Sequence, residues 1–157
     1  MLQRVTLFLA ALFLSLTAGR AFWVSLGENP FNMAGSTYVE FFQQLDQRIA
    51  IPIAITGIGG TLLAGIAAAV SRAQRRVLCL LLLAFAFSLS ASVVTAIVNV
   101  PINLEVADWN PDALPPGYED LLRRWWQWRQ ARLVGMLAAS CLVFAAMLTV
   151  GSGRNST

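Results

Sequence analysis

Four long apolar stretches constrain this chain more than any other feature of its sequence. They run over residues 5–26, 49–70, 77–98 and about 131–150. A bilayer core about 30 Å thick is crossed by roughly 20 apolar helical residues, because an α-helix rises 1.5 Å per residue. Hydrocarbon offers backbone amides no partner, so a crossing segment satisfies its own hydrogen bonds as a helix. The sequence therefore predicts an all-α fold, a bundle of four transmembrane helices.

The composition agrees with a single integral membrane domain over residues 1–157. Hydrophobic residues make up 57% of the chain and charged residues only 12%, against about 25% charged in soluble domains. Histidine is absent, which removes the commonest metal ligand and general base, and no zinc, haem or iron–sulfur spacing occurs. We therefore expect no metal and no cofactor. The net charge of +3 is small, so we expect membrane lipids and no nucleic acid as partners.

The charged residues separate onto two sides of this topology. One side carries arginines near the termini and in the turn between spans two and three, namely Arg4, Arg72, Arg75, Arg76 and Arg154. The other side carries all eight acidic residues, which are Glu28, Glu40, Asp46, Glu105, Asp108, Asp112, Glu119 and Asp120. Cytoplasmic loops carry an excess of basic residues. We therefore predict cytoplasmic N- and C-termini and a location in the cell's inner (plasma) membrane.

The first span has a second interpretation, as a cleaved signal peptide. Arg4 precedes an apolar run that ends near Ala18 and Gly19, a pattern that also suits a signal sequence. The apolar run continues through Val24, which favours a membrane span.

Two long connections face outward in this topology. Residues 37–48 have apolar side chains at helical spacing and are expected to form a helix that lies along the interface. Residues 99–130 contain Pro101, Pro111, Pro115, Pro116 and Gly117. They predict a structured extracytoplasmic loop, irregular at first and helical as it approaches the fourth span.

Small residues recur every four positions in the second span. They are Gly57, Thr61, Gly65 and Ala69, with Gly60, Ala64 and Ala68 beside them. This spacing lets helix backbones approach closely. It favours packing within the bundle, with homodimerisation as the alternative.

Arg20 lies about six residues inside the predicted outer end of the first span. An arginine at the bilayer centre costs on the order of 2.5–3.5 kcal/mol on insertion scales. The side chain of Arg20 either extends to the interface, which lowers that cost, or meets a partner or ligand inside the bundle.

Asn99, Pro101 and Asn103 stand at the outward end of the third span. Pro101 lacks a backbone N–H and is expected to break the helix, which frees carbonyl groups. The two amides either cap that frayed backbone or line a pocket, where they offer both donors and acceptors to a ligand.

Three tryptophans and two arginines fall within residues 125–132, at the start of the fourth span. An aromatic belt at the membrane boundary explains such a segment. However, Trp125, Arg129 and Arg132 fall on one helical face, with Trp128 next to it. A face of indole and guanidinium groups suits a planar, electron-rich or anionic guest.

Taken in order, these motifs resemble the anthrone oxygenase-like family of four-span proteins. The matching segments are Ala18-Gly19-x-Ala21, Asn99-x-Pro101-x-Asn103, Trp109 and Trp125-x-x-Trp128-Arg129-x-x-Arg132. Characterised relatives oxidise an anthrone to an anthraquinone with dioxygen, without metal or flavin. The resemblance implies that Asn99, Asn103 and Arg132 hold a substrate anion, while Trp125 and Trp128 stack on its rings.

The chain departs from this pattern at Arg129, where some members have a histidine. Such a reaction needs a base to remove a carbon-bound proton, and arginine cannot serve as one near neutral pH. Glu105 or Asp108 could take that role if desolvation raised the pKa of its carboxyl group.

Two functional hypotheses follow. In the first, the chain is an enzyme, an anthrone oxygenase-like, cofactor-free monooxygenase that acts on a small aromatic, quinone-like or lipid molecule in an outward-facing pocket. In the second, it binds a lipid or quinone without turnover, or docks onto partner membrane subunits as an accessory subunit. A transporter is disfavoured, because no span contains an acidic residue and no internal repeat occurs. The predicted binding residues are Arg20, Asn99, Asn103, Trp125, Trp128 and Arg132. If Arg20, Asn99, Asn103 and Arg132 converge on one enclosed cavity, a ligand site is favoured, whereas separate surfaces would favour packing and anchoring.

Overall fold

The computed structural model describes residues 1–152, apart from the side chains of residues 46, 47, 151 and 152. The elements in chain order are α1 (Leu2–Gly27), α2 (Gly35–Val70), α3 (Arg75–Val94), a π-helical turn (Thr95–Asn99), α4 (Val100–Ala107) and α5 (Tyr118–Ser152). These described residues contain no strand, which confirms the all-α prediction. Arg154, one of the arginines used to predict the orientation, lies outside the described residues.

Within residues 1–152, four helical segments are long and apolar enough to cross a membrane. They are Leu2–Gly27, Arg48–Val70, Arg75–Ala107 and Tyr118–Val150. Each contains one of the predicted spans. The third and fourth segments extend well beyond the apolar runs that define them, and α2 begins at Gly35, before the second apolar run. Helical structure therefore reaches well into the predicted connections. The chain is thus a multi-pass membrane protein of four helices.

The prediction that the chain becomes irregular after Asn99 was wrong. Helical structure continues from Arg75 to Ala107 through the π turn. The backbone N–H of Val100 donates to the carbonyl of Thr95, the i→i+5 bond of a π turn. This wider turn accommodates Pro101, whose ring would otherwise clash with the carbonyl four residues earlier. The irregular part of the connection is therefore only residues 108–117.

The segment 37–48 is helical as predicted, but it does not form a separate interfacial helix. It is the first third of α2, which continues into the second span with Pro52 inside it. Tyr38 and Val39 are fully buried in an apolar cluster with Val106 and Trp125. Burial against α4 and α5 therefore fixes this segment as a continuation of the helix that forms the second span.

The small residues of α2 pack against α1 inside the chain. Ala64, Ala67 and Ala68 are buried in the main apolar core beside Leu14. A methyl group added at Gly60 would lie 2.9 Å from the Leu14 side chain and 3.1 Å from its backbone nitrogen. Glycine is thus required at position 60, because the two backbones approach too closely for a larger residue.

Candidate functional site

A cavity of about 390 Å³ lies between α1, α2, the π turn with α4, and α5. Five of the six predicted binding residues line this central cavity: Arg20, Asn99, Asn103, Trp125 and Arg132. They come from three separate parts of the chain, so only the tertiary structure brings them together. The convergence that favours a ligand site is therefore present.

Trp128, the sixth residue, does not line the central cavity. Its side chain is 42% exposed on the outer face of α5. Along a helix with about 100° between successive residues, position 128 lies about 60° away from Trp125. This location agrees with the aromatic-belt interpretation of Trp128 and not with a stacking wall.

Arg129 and Arg132 project into the central cavity from successive turns of α5. Arg132 donates from Nη1 to the hydroxyl of Thr95, 3.0 Å away in the π turn. The guanidinium carbon of Arg129 lies 4.8 Å from the centre of the Trp125 ring, within cation–π distance. Both side chains also have a buried Nε–H with no hydrogen-bond partner. Each of these two guanidinium groups, which line the cavity, thus carries a buried donor that no described residue pairs with.

Arg20 forms an ion pair with Glu28. Its two terminal nitrogens donate to the two carboxylate oxygens at 2.7 and 3.0 Å. Glu28 follows the last turn of α1, where its backbone N–H still donates to the carbonyl of Val24, and it is only 9% exposed. The interpretation that Arg20 meets a partner inside the bundle is the one that the structure supports. Sequence reasoning missed Glu28, whose only signal was its position eight residues after Arg20.

The two asparagines hold Trp125 in place. Trp125 donates from Nε1 to Oδ1 of Asn103 at 2.7 Å, and Asn99 donates from Nδ2 to the Trp125 carbonyl at 3.3 Å. Edge-on contacts with Tyr38 and Phe42 complete the packing of the indole. The remaining amide oxygen of Asn99 is buried with no partner.

The π turn explains why the polar residues of this wall face the same way. In a regular α-helix, residues four apart drift by about 40° at each step, since a turn takes 3.6 residues. Thr95, Asn99 and Asn103 are four apart, yet all three line the cavity. The wider turn over Thr95–Asn99 offsets that drift, and π turns occur frequently at functional sites.

The charges around the central cavity do not balance. Three arginines, Arg20, Arg129 and Arg132, face one carboxylate, Glu28, among the described residues that line it. Glu105 and Asp108, the acids that the sequence suggested as a base, are both exposed and lie outside the lining. A buried excess of positive charge is costly without a partner. The site therefore suits a ligand that is anionic or becomes so when bound.

Metal-binding residues do not cluster in the part of the chain that the structure describes. No three histidine, cysteine or acidic side chains there come close enough to hold an ion together.

The fold and the site define a small multi-pass membrane protein with a cationic, aromatic-walled cavity inside a four-helix bundle. The chain belongs to the anthrone oxygenase family, whose sequence model matches residues 41–142. The match extends from within α2 to within α5 and leaves out α1, which supplies Arg20 and Glu28. No curated protein and no solved structure matches the chain.

Proposed function

We propose that the protein oxidises an enolisable polycyclic ketone of the anthrone class with dioxygen. The methylene carbon of the substrate becomes a carbonyl, one oxygen atom of O₂ enters the product, and the other leaves as water. The observation that carries this proposal is the excess of guanidinium groups, two of them with an unpartnered Nε–H, around an apolar and aromatic cavity. Membership of the anthrone oxygenase family supports the substrate class.

Arg129 and Arg132 stabilise the anion that the reaction forms. Removing a proton from the methylene carbon places negative charge on the ketone oxygen. Fixed donors directed at a developing oxyanion in a site of low polarity lower the barrier to its formation. We assign this role to the unpartnered Nε–H groups of Arg129 and Arg132, and Trp125 lines the same cavity.

Glu28 is the proton acceptor in this proposal. A carboxylate has about four lone-pair positions, and the ion pair with Arg20 uses two of them. The substrate carbanion then adds to O₂, and Glu28 returns the proton to give a hydroperoxide. Loss of water from the hydroperoxide forms the new carbonyl. The electrons come from the substrate, so the reaction needs no further oxidant or reductant.

The test is oxygen uptake by the purified protein in mild detergent with anthrone as substrate, followed by anthraquinone absorbance. Arg132→Gln should lower the rate about 100-fold, the usual effect of removing one oxyanion donor. Arg124→Gln is the matched control, because Arg124 is an exposed arginine of the same helix outside the cavity. Addition of a metal chelator should leave the wild-type rate unchanged. Equal rates for the two variants and for protein-free micelles would refute the proposal.

Binding without turnover is the second candidate function. The unpartnered Nε–H groups and the free acceptor of Asn99 suit a quinone or lipid as well as a reacting ketone. Mass spectrometry of molecules that co-purify with the protein distinguishes the two. A quinone or lipid held by the wild type and lost in Arg132→Gln, together with no oxygen uptake, would indicate a binding protein.

A further inference from the structure

One wall of the central cavity is both apolar and exposed. One side of this wall consists of Ala50, Ala54 and Ile58 on α2. The other side consists of Ala96 in the π turn and of Val100 and Leu104 in α4. Within each set the residues are four apart, so each forms one edge along its helix. All six lie in segments apolar enough to cross a membrane, Arg48–Val70 and Arg75–Ala107. We call this opening between the two edges the lateral window.

Contacts close the wall at both ends of the lateral window. Near the turn that joins them, α2 and α3 are in contact. A methyl group added at Gly65 of α2 would lie 3.3 Å from the ring of Phe85 in α3. At the opposite end, Nε2 of Gln43 donates to the carbonyls of Val106, Ala107 and Trp109, at 3.1, 3.2 and 2.9 Å. Between these contacts, three of the six edge residues are alanines, too small to fill the gap.

The charged groups of the cavity lie on helices that do not form the lateral window. Arg20 and Glu28 belong to α1, and Arg129 and Arg132 belong to α5, whereas the window edges carry apolar side chains only. An ion that crossed these edges from lipid would lose its hydration without meeting an opposite charge, which is strongly unfavourable. A neutral apolar molecule meets no such barrier.

We propose that the substrate reaches the central cavity from the bilayer through the lateral window. The class of substrate is then a weak acid that is neutral and dissolved in lipid when it enters and becomes an anion only beside the arginines. This inference rests on the proposed function only in taking the central cavity as the substrate site. It explains why the cavity combines an apolar opening with an excess of positive charge.

The test measures access chemically and does not depend on turnover. Thr17→Cys places a thiol at a buried position of the cavity on α1, in a background where Cys79→Ala and Cys141→Ala remove the two exposed native cysteines. The protein is reconstituted in phosphatidylcholine vesicles. Labelling rates are compared for N-ethylmaleimide, which is neutral, and for maleimidopropionic acid, which carries a carboxylate on the same reactive group.

Bulky residues at the lateral window should slow labelling by the neutral reagent. We expect Ala54→Trp to slow N-ethylmaleimide at least about tenfold, the effect of a barrier higher by about 1.4 kcal/mol. Ile55→Trp, at an exposed neighbour outside the cavity lining, should change the rate less than about twofold, a barrier change under roughly 0.5 kcal/mol. Ala96→Trp and its exposed neighbour Ile97→Trp form a second pair if Ala54→Trp does not fold.

Two outcomes would overturn the lateral window. One is equal labelling of the window variants and their neighbours by N-ethylmaleimide. The other is labelling by maleimidopropionic acid as fast as by N-ethylmaleimide, since the arginines would attract the carboxylate wherever an aqueous path exists. Either result could occur with oxygen uptake intact, in which case the proposed function would stand and only the route would be wrong. An absence of oxygen uptake together with window-dependent labelling would mean that the route is right and the proposed function is wrong.

Discussion

The guanidinium of Arg20 and the carboxylate of Glu28 form a two-point ion pair, with N–H···O distances of 2.7 and 3.0 Å, at the end of α1. This ion pair has two structural consequences. It gives a partner to an arginine in an apolar helix, and it places the one described carboxylate of the lining in the same cavity as three guanidinium groups. Both residues lie outside the range matched by the family. The proposed chemistry therefore depends on a helix that the match does not cover.

Replacing the carboxylate without changing its shape tests its role as a base. We expect Glu28→Gln to lower the rate of anthrone oxidation about 100-fold or more, the usual contribution of a general base. The fold should persist, because the amide oxygen still accepts a hydrogen bond from Arg20. Oxygen uptake and thermal stability in detergent measure the two effects. The control is Glu105→Gln, at an exposed acid outside the cavity, which should leave oxygen uptake and thermal stability unchanged. A similar loss of oxygen uptake in this control would contradict the role of Glu28 as the base.

The hydrogen bond from the Trp125 indole to Asn103, 2.7 Å long, should contribute to stability as well as to the shape of the cavity. A double-mutant cycle of Trp125→Phe and Asn103→Ala isolates the interaction between them. We expect a coupling of about 1 kcal/mol in the free energy of unfolding, typical of a net hydrogen bond. Chemical unfolding in detergent measures it. A coupling near zero would mean that other contacts alone position the indole.

Close packing of α1 on α2 predicts that Gly60→Ala destabilises the protein. The added methyl group would lie 3.1 Å from the Leu14 backbone nitrogen, so the helices must move apart. We expect a loss of about 1–3 kcal/mol in the free energy of unfolding, as for other overpacked sites. Gly19→Ala is the control, since nothing lies within 4 Å of the added atom. It should be neutral or stabilising because alanine favours a helix by about 1 kcal/mol over glycine.

The orientation in the membrane is a prediction from charge, and two fusions to the C-terminus test it. A fluorescent protein joined after Thr157 should be bright, because the positive-inside rule places that end in the cytoplasm. Alkaline phosphatase at the same position should be inactive, since it requires the opposite side. Active phosphatase would reverse the topology and place the acidic connections in the cytoplasm.

Part of the candidate site was predictable because it follows helical geometry. Arg129 and Arg132 are three residues apart, and Trp125 lies four residues before Arg129, so a helix places all three within about 60° of one another. Trp128 belongs to the same motif and still faces outward. A sequence pattern gives the relative angles around a helix, but the neighbouring helices decide which angle becomes the interior.

Other parts of the site depend on features that no local pattern reveals. The continuation of the helix through Pro101 depends on the π turn at Thr95–Asn99, whereas proline alone favours a break. Glu28 lines the cavity whereas Glu105 and Asp108 do not, and this difference depends on how α1 packs against the other helices. The first outcome is a local departure from regular helix that proline alone does not reveal, and the second arises from packing between segments that are distant in the chain.

The sequence by itself determined that this protein is an all-α membrane bundle of four spans, because hydrocarbon leaves an apolar run of about 20 residues no other way to satisfy its backbone. It also determined the family and most of the polar residues that meet in the bundle. Only the tertiary structure decided that Arg20 pairs with Glu28, that Trp128 lies outside, and that the cavity opens between α2 and α4. Those features depend on the distance and rotation between helices, which are set by side-chain packing and not by hydrophobicity along the chain.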